Sequence, residues 1–297
     1  MKEQTHRAGF VSIIGNPNAG KSTLLNAFMG ERFSIATPKA QTTRHRIFGI
    51  LNSEEYQIVF SDTPGVIQPA YALQESMLEA VRSVFEDSDL LLYLVEANRE
   101  TLKDEQLYQQ LKAEKNTPLF VILNKIDLLT EEQLTKAFDF WEQEFPQARI
   151  FPVAAQEKFQ TAALLEEIIR QMPPSPPFFD KEALSDRSER FFAEEMIREQ
   201  LLVHYQKELP YACEVEVEEF KETPDLLRIR ANIYVERPTQ KSIIIGSGGK
   251  MIKKTGTAAR RQMELFFKQK IFLDLHVKVR KNWRNSDREL KRFGYRR

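Results

Sequence analysis

Residues Gly15-Asn16-Pro17-Asn18-Ala19-Gly20-Lys21-Ser22 constrain this chain more than any other stretch. An apolar run, Phe10–Ile14, precedes them and an amphipathic stretch follows from Lys21. Strand, glycine loop and helix in that order are the context in which G-x-x-x-x-G-K-S becomes a phosphate-cradling P-loop. Glycine lets the backbone curl until successive N–H groups point at phosphate oxygens, and the helix N-terminus adds its positive end. Lys21 is expected to reach the β- and γ-phosphates, Ser22 to ligate Mg²⁺, and Gly15 through Thr23 to line the nucleotide.

From Phe10 to Met172 short apolar runs alternate with amphipathic stretches. That alternation predicts an α/β domain with a mostly parallel sheet and helices on both faces. Strands are expected at Phe10–Ile14, Arg46–Leu51, Tyr56–Ser61, Leu90–Val95, Leu119–Leu123 and Ile150–Val153. Helices are expected from near Lys21, Gln74, Lys103, Glu131 and Thr161. Only Asn52–Glu55 separates the second and third strands, too short for a helical crossover, so that pair reads as a hairpin with one antiparallel edge strand.

A P-loop alone does not choose between ATP and GTP. Asn124-Lys125-Ile126-Asp127, directly after the fifth strand, does choose. Asp127 can accept two hydrogen bonds from the guanine N1–H and exocyclic amine, a donor pair that adenine lacks. Asn124 is expected to tie the base loop to the P-loop, and the stem of Lys125 to cover the base. Asp62-Thr63-Pro64-Gly65 ends the third strand. There Asp62 would hold Mg²⁺ through water and the Gly65 amide would meet the γ-phosphate; the plainer reading is a Pro-Gly turn. Between these motifs lies Gln41-Thr42-Thr43-Arg44, where Thr43, with Thr42 as the alternative, would complete the Mg²⁺ shell in the GTP state. The catalytic set is thus Lys21, Thr43 and Gly65, and the metal set Ser22, Thr43 and Asp62. His45 and Arg46 read as surface or switch residues.

Composition matters for the rest of the chain. The formal net charge is zero, but it is unevenly spread. Residues 1–172 carry 17 basic and 24 acidic side chains, residues 173–220 carry 5 and 12, and residues 221–297 carry 21 and 7. A basic last quarter suggests a polyanionic partner or, more plainly, a solvated basic face. The single cysteine, Cys213, excludes an internal disulfide, fits a reducing compartment such as the cytoplasm, and reads as core filling. No apolar run approaches the ~20 residues of a membrane span. The four histidines show no zinc spacing. Pro173, Pro174, Pro176 and Pro177 mark residues 173–186 as a semi-rigid linker between a domain at 1–172 and a second at 187–297.

In that second domain a helical stripe of Phe192, Met196, Glu199, Leu202 and Val203 comes first. Alternating strands at Cys213–Phe220 and Leu226–Val235 follow, and another strand is expected at Ile271–Val279. Between them, Ile243-Ile244-Ile245-Gly246-Ser247-Gly248-Gly249-Lys250 resembles the Gly-x-x-Gly loop of KH domains. That resemblance implies an α+β type II KH fold whose loop clamps the backbone of about four nucleotides. Gly246, Ser247, Gly248 and Gly249 would meet the RNA backbone, and Lys250, Lys253, Lys254 and Arg260 would add phosphate contacts, with Arg261 beside them. The Phe191-Phe192 and Phe266-Phe267 pairs read as core.

The nucleotide motifs, in this order, resemble the translation-factor branch of P-loop GTPases. That resemblance implies a fifth motif, Ser-Ala. Here it reads Val153-Ala154-Ala155, so only the Ala155 N–H carries over, as a contact to guanine O6. Ras-like members place a glutamine after the Asp-x-x-Gly glycine to orient the attacking water. Here that position is Val66, which implies slow intrinsic hydrolysis. GTPases with asparagine at the position of Asn18 hold K⁺ where an arginine finger would act; the alternative is that Asn18 braces its loop.

A P-loop GTPase followed by this type of KH domain is similar to the Era family, bacterial GTPases of small-ribosomal-subunit maturation. The stretches Lys39–Arg46 and Ile243–Arg260 carry the likeness, which covers nearly the whole chain. It implies a monomer that binds GTP or GDP and the 3′ end of small-subunit ribosomal RNA on the small ribosomal subunit. It also implies peripheral contact with the inner face of the cell membrane, for which the sequence offers only its basic tail. The competing expectations are a GTPase switch whose basic module binds membrane or protein and, less in keeping with Asp127, an ATPase.

Overall fold

A computed structural model describes residues 6–30, 33–37, 39–96 and 101–296. The chain forms two compact units, one of residues up to Ala70 with Gln74–Asp186, the other of Tyr71–Leu73 with residues from Arg187 onward.

The first unit runs β1 (Arg7–Ile14), α1 (Lys21–Met29), β2 (Ile47–Asn52), β3 (Tyr56–Asp62), α2 (Ala72–Arg82), α3 (Val84–Asp87), β4 (Leu90–Glu96), α4 (Glu105–Ala113), β5 (Leu119–Asn124), α5 (Glu131–Glu144), β6 (Arg149–Pro152) and α6 (Thr161–Gln171). The sheet order is β2-β3-β1-β4-β5-β6. Only β2 is antiparallel to its neighbour, as the short Asn52–Glu55 connection requires. The chain winds to one side of β1 through β3 and to the other through β4, so β1 ends at a topological switch point, where ligands bind in open α/β sheets. Register brings the motifs to that edge: Ile13 pairs with Asp62, and Glu96 with Asn124. β4 and β5 are almost wholly buried, matching their unbroken apolar sequence. On one face Tyr93, Trp141 and Phe145 pack edge-on and stacked in an aromatic cluster.

Residues 173–186 belong to this unit. The Ala8 N–H donates to Pro173 O (3.2 Å) and the Ile50 N–H to Leu184 O (3.0 Å). Gln57 Oε1 accepts from the Phe178 and Phe179 amides (2.7 and 2.9 Å). An edge strand carries unpaired backbone groups, and this segment satisfies those of β2. The stretch expected as a semi-rigid linker between domains is therefore a strap on the sheet of the first unit.

The second unit runs α7 (Glu189–His204), β7 (Glu214–Thr223), β8 (Leu226–Val235), α8 (Pro238–Ile245), α9 (Lys250–Phe267), β9 (Ile271–Val279) and α10 (Asp287–Arg292). Its sheet, β7-β8-β9, pairs β7 and β8 antiparallel and β8 and β9 parallel. Helix α7 is buried on more than one side because it packs on both α9 and β7. Arg198 and Glu195 are buried there as an ion pair, whereas Val203, expected in the stripe, is 54% exposed. Buried Phe192 packs against half-buried Phe266 at a tilt of 30°, and Cys213 is buried. Glu214 is buried and accepts a hydrogen bond from the Tyr295 hydroxyl (2.6 Å).

The basic tail folds back on this unit. Trp283 is fully buried and donates to Ala212 O (3.0 Å); Arg292 pairs with Glu216 (2.6 Å) and Arg284 with Glu236 (2.5 Å). These arginines are structural cations with carboxylate partners. Among the described residues, no helix is long and apolar enough to cross a membrane.

Candidate functional site

Between β1 and α1 the loop opens onto a cleft of about 1300 Å³, lined by Lys21, Ser22, Thr43, Gly65, Lys125 and Asp127 among others. Three glycines are sterically required. A Cβ on Gly15 would lie 2.4 Å from Leu94 O. One on Gly20, which has φ 102°, would lie 2.2 Å from Asn124 Nδ2. One on Gly65 would lie 2.8 Å from Pro17 Cα. The Val66 N–H donates to Gly15 O (3.1 Å), closing the Asp62–Gly65 turn on the P-loop.

Lys21 is buried, and its Nζ donates to Gly15 O and Asn16 O, both at 3.0 Å. Burial lowers its pKa to about 8, against the opposing pull of Asp62. Asp62 is fully buried at the end of β3. Its Oδ2 accepts from Ser34 Oγ (2.7 Å), Ser22 Oγ (2.8 Å) and Thr43 Oγ1 (3.2 Å). Its Oδ1 is buried with no hydrogen-bond partner among the described residues. Burial raises the carboxyl pKa, and the hydroxyls and Lys21 oppose that rise. An unpaired buried carboxylate oxygen among three hydroxyls is the donor set of a hard divalent cation, so these residues fit Mg²⁺.

The two threonines separate clearly. Thr43 reaches Asp62 and lies 3.0 Å from Ser22, whereas Thr42 donates to Lys39 O (2.6 Å). Three other side chains face away from the cleft. Thr63 Oγ1 donates to Ile13 O (2.6 Å), fastening β3 to β1. Asn16 bridges to Thr101 O and the Lys103 N–H. Val66 is buried in the core, so its place offers neither a polar group nor an approach to water. Asn18 is exposed with φ 67°, and its side chain makes no hydrogen bond among the described residues, leaving the bracing alternative without a bond. Arg46 is not a free surface cation: it pairs with Asp87 (2.7 Å) and donates to Ser61 Oγ (2.6 Å).

At the far end of the cleft, Asp127 is exposed on a short turn after β5. Lys125 takes a left-handed conformation (φ 63°) and pairs with Glu96 (2.7 Å). Asn124 donates to Ala19 O (2.8 Å) and accepts from the Ala155 N–H (3.0 Å), joining three loops. That second bond revises an expectation: the Ala155 N–H, assigned to guanine O6, is engaged by Asn124. The next residue, Gln156, is exposed and lines the cleft.

In the second unit Gly246 (φ 70°), Gly248 (φ 57°) and Gly249 (φ 74°) form the loop between α8 and α9. Gly246 is packed on Met251, while open space surrounds the α-carbons of Gly248 and Gly249. Ser247, Lys250, Lys253 and Lys254 are exposed on the loop and the first turns of α9. Arg260 differs from the expectation, since Glu264 one turn on holds its guanidinium (2.5 Å); the neighbouring Arg261 is exposed. Tyr205 was not foreseen. Its buried hydroxyl donates to Ile244 O (2.8 Å) and lies 3.1 Å from Thr255 Oγ1, spanning the helices on both sides of the loop. Ser34 and its anchor Asn26 were also missed, though Asn26 lies one turn after Ser22 on the same face of α1.

The family model described as a 50S ribosome-binding GTPase matches residues 10–125, and that of the KH domain matches residues 208–284. The chain is 42% identical over 293 residues to a GTPase Era of Ruminiclostridium cellulolyticum, covering 98% of each chain. It is 44% identical to a GTPase Era of Syntrophus aciditrophicus, covering 97% of this chain and 95% of that one. Among solved structures, an Aquifex aeolicus Era variant bound to GDP·AlF4⁻ superposes with a TM-score of 0.93 at 34% identity, covering 98% of this chain and 100% of that chain. An Era in complex with MgGDPNP and nucleotides 1506–1542 of 16S ribosomal RNA gives the same values. With its nucleotide cleft and KH unit both matched over nearly their full length, the chain belongs to the Era family of GTPases.

Proposed function

We propose that this GTPase is a switch that binds small-subunit ribosomal RNA near its 3′ end and acts in assembly of the small ribosomal subunit. The observation that carries the proposal is the pairing of a GTP cleft with an open, left-handed glycine loop followed by exposed lysines in one chain. The complex of a similar Era with 16S ribosomal RNA supports this choice of RNA. The tail that carried the expectation of membrane contact has its Arg284 and Arg292 paired with carboxylates, so the proposal stays with RNA.

In the cleft, Lys21 and the P-loop amides hold the phosphates, Asp127 reads the guanine edge, and the stem of Lys125 covers the base. Ser22, Thr43 and Asp62 take Mg²⁺. Held by these residues, Mg²⁺ would supply positive charge to offset the negative charge that develops on the transferred phosphoryl group. The Gly65 N–H meets the γ-phosphate, and the Gln156 amide replaces Ala155 toward guanine O6. Asn18, whose side chain has no partner among the described residues, serves K⁺ beside the phosphates; equal turnover in KCl and NaCl would remove that role.

GTP turnover with and without a 3′-terminal small-subunit rRNA fragment tests the whole. The control is Gly248→Asp/Gly249→Asp, because both positions have room and aspartate tolerates left-handed backbone. RNA binding lost in the control supports the proposal. No binding of the RNA by the wild type refutes it and turns attention to a protein or lipid partner.

A further inference from the structure

Thr43, Ser22 and Asp62 are not the whole of the metal pocket. Ser34 lies after α1 in a stretch, 33–37, with no regular secondary structure, yet it is 4% exposed and its Oγ is the nearest donor to Asp62 Oδ2. No strand ladder holds it there. Asn26 does: its Oδ1 accepts from the Phe33 N–H (2.9 Å) and the Ser34 N–H (2.7 Å), and its Nδ2 donates to Ser34 O (2.8 Å). One amide side chain thus spends three of its four hydrogen bonds on two successive residues.

Ser22 and Asn26 stand four residues apart on α1 and so share a face. Through Ser22 directly and Asn26 indirectly, one helix aims two hydroxyls at the same carboxylate oxygen, at 2.8 and 2.7 Å. With Thr43 they saturate Oδ2 and leave Oδ1 as the unpartnered oxygen. A carboxylate's terminal torsion is soft on its own, so its orientation depends on such partners.

We propose that Ser34 is a positioning residue that presets the Asp62 carboxylate for Mg²⁺, and that Asn26 is the clamp holding Ser34 in place. This rests on the reading above, in which Asp62 takes part in the Mg²⁺ site. One hydrogen bond to a charged group at the lower end of its usual strength corresponds to about a tenfold change in metal affinity.

The test is release of a fluorescent GDP analogue from the full chain as free Mg²⁺ is titrated, with EDTA as the metal-free reference. Ser34→Ala is expected to raise the Mg²⁺ concentration for half-maximal slowing about tenfold, while the release rate in EDTA stays at the wild-type value. Ser34→Thr, which keeps the hydroxyl, is expected to stay near wild type. Asn26→Ala is expected to match Ser34→Ala, and the double variant to be no worse than either single one, since both act through one bond. A Mg²⁺ requirement in Ser34→Ala within twofold of wild type overturns the inference, as does an equal change in the EDTA rate, which marks a general structural role. If wild-type release does not respond to Mg²⁺ at all, the metal reading itself falls, and Ser34 with it.

Discussion

Asn124→Ala is the sharpest perturbation of the nucleotide site, because Asn124, expected among the nucleotide-binding residues, does its work by tying the base loop to the P-loop. Asn124 is 3% exposed and holds two buried backbone groups, Ala19 O at 2.8 Å and the Ala155 N–H at 3.0 Å. The alanine variant leaves both unpaired, at about 1–3 kcal/mol each, or roughly 2–6 kcal/mol together. The space vacated lies beside the cleft, so water recovers part of this and the lower half of the range, about 2–4 kcal/mol, is expected. If that cost falls on the arrangement of loops that binds nucleotide, GDP affinity drops about 30- to 700-fold, at 1.4 kcal/mol per factor of ten. Equilibrium titration with a fluorescent GDP analogue in Mg²⁺ buffer measures it. Asn124→Asp, which sets a carboxylate oxygen against Ala19 O, is expected to be at least as damaging. Affinity for GDP within threefold of wild type in the alanine variant would refute the idea that Asn124 couples the base loop to the P-loop.

Gly20→Ala should abolish measurable nucleotide binding, because the new Cβ meets Asn124 Nδ2, which its own bonds hold in place, and φ is 102°; binding within tenfold of wild type would count against this. Lys21 has a lowered pKa of about 8 in the free protein, and phosphates would raise it. Nucleotide affinity is then fully present below about pH 8 and falls as pH rises above it, by up to about tenfold per unit; a flat profile from pH 7 to 9.5 would show that Lys21 does not titrate there. Trp283→Ala should cost the second unit about 3–5 kcal/mol, read as a lower thermal midpoint, because Trp283 is fully buried and donates to Ala212 O; an unchanged midpoint would mean the tail is peripheral to that fold.

Much of the nucleotide site was legible because its chemistry is local. Gly15 through Ser22 carry their own strand and helix, and Asp62 and Asn124 are the last residues of strands whose apolar runs are plain in the sequence. What was not legible depends on partners far along the chain or on competition for one group. Ser34 acquires its meaning only when Asn26 fixes it beside a carboxylate 28 residues away. The Ala155 N–H is claimed by Asn124, 31 residues earlier. The tail arginines look like a free basic arm until Glu216 and Glu236 come into reach. Val203 fits a one-sided stripe, but α7 packs on two neighbours and its buried surface is broader and shifted. The Arg260–Glu264 pair is the exception, since its i, i+4 spacing was there to be read.

The strap formed by residues 173–186 bears on how the protein is made. Synthesis is vectorial, and the G unit reads as finished once β6 and α6 have emerged. Its β2 edge stays open, however, until Leu184 is available to accept from Ile50 and Ser185 to donate to Phe48 O (2.6 Å). During that interval the nascent chain presents an unpaired strand that a neighbouring nascent chain could pair with. A chain ending at residue 172 keeps that edge for good and should self-associate, whereas one ending at 186 should stay dispersed. The work is divided along the strap: the prolines open it beside the start of β1, where Pro173 O accepts from the Ala8 N–H, and the proline-free residues 183–186 close β2. The fixed φ of the prolines stiffens the lead-in, so that those last residues reach the edge already extended.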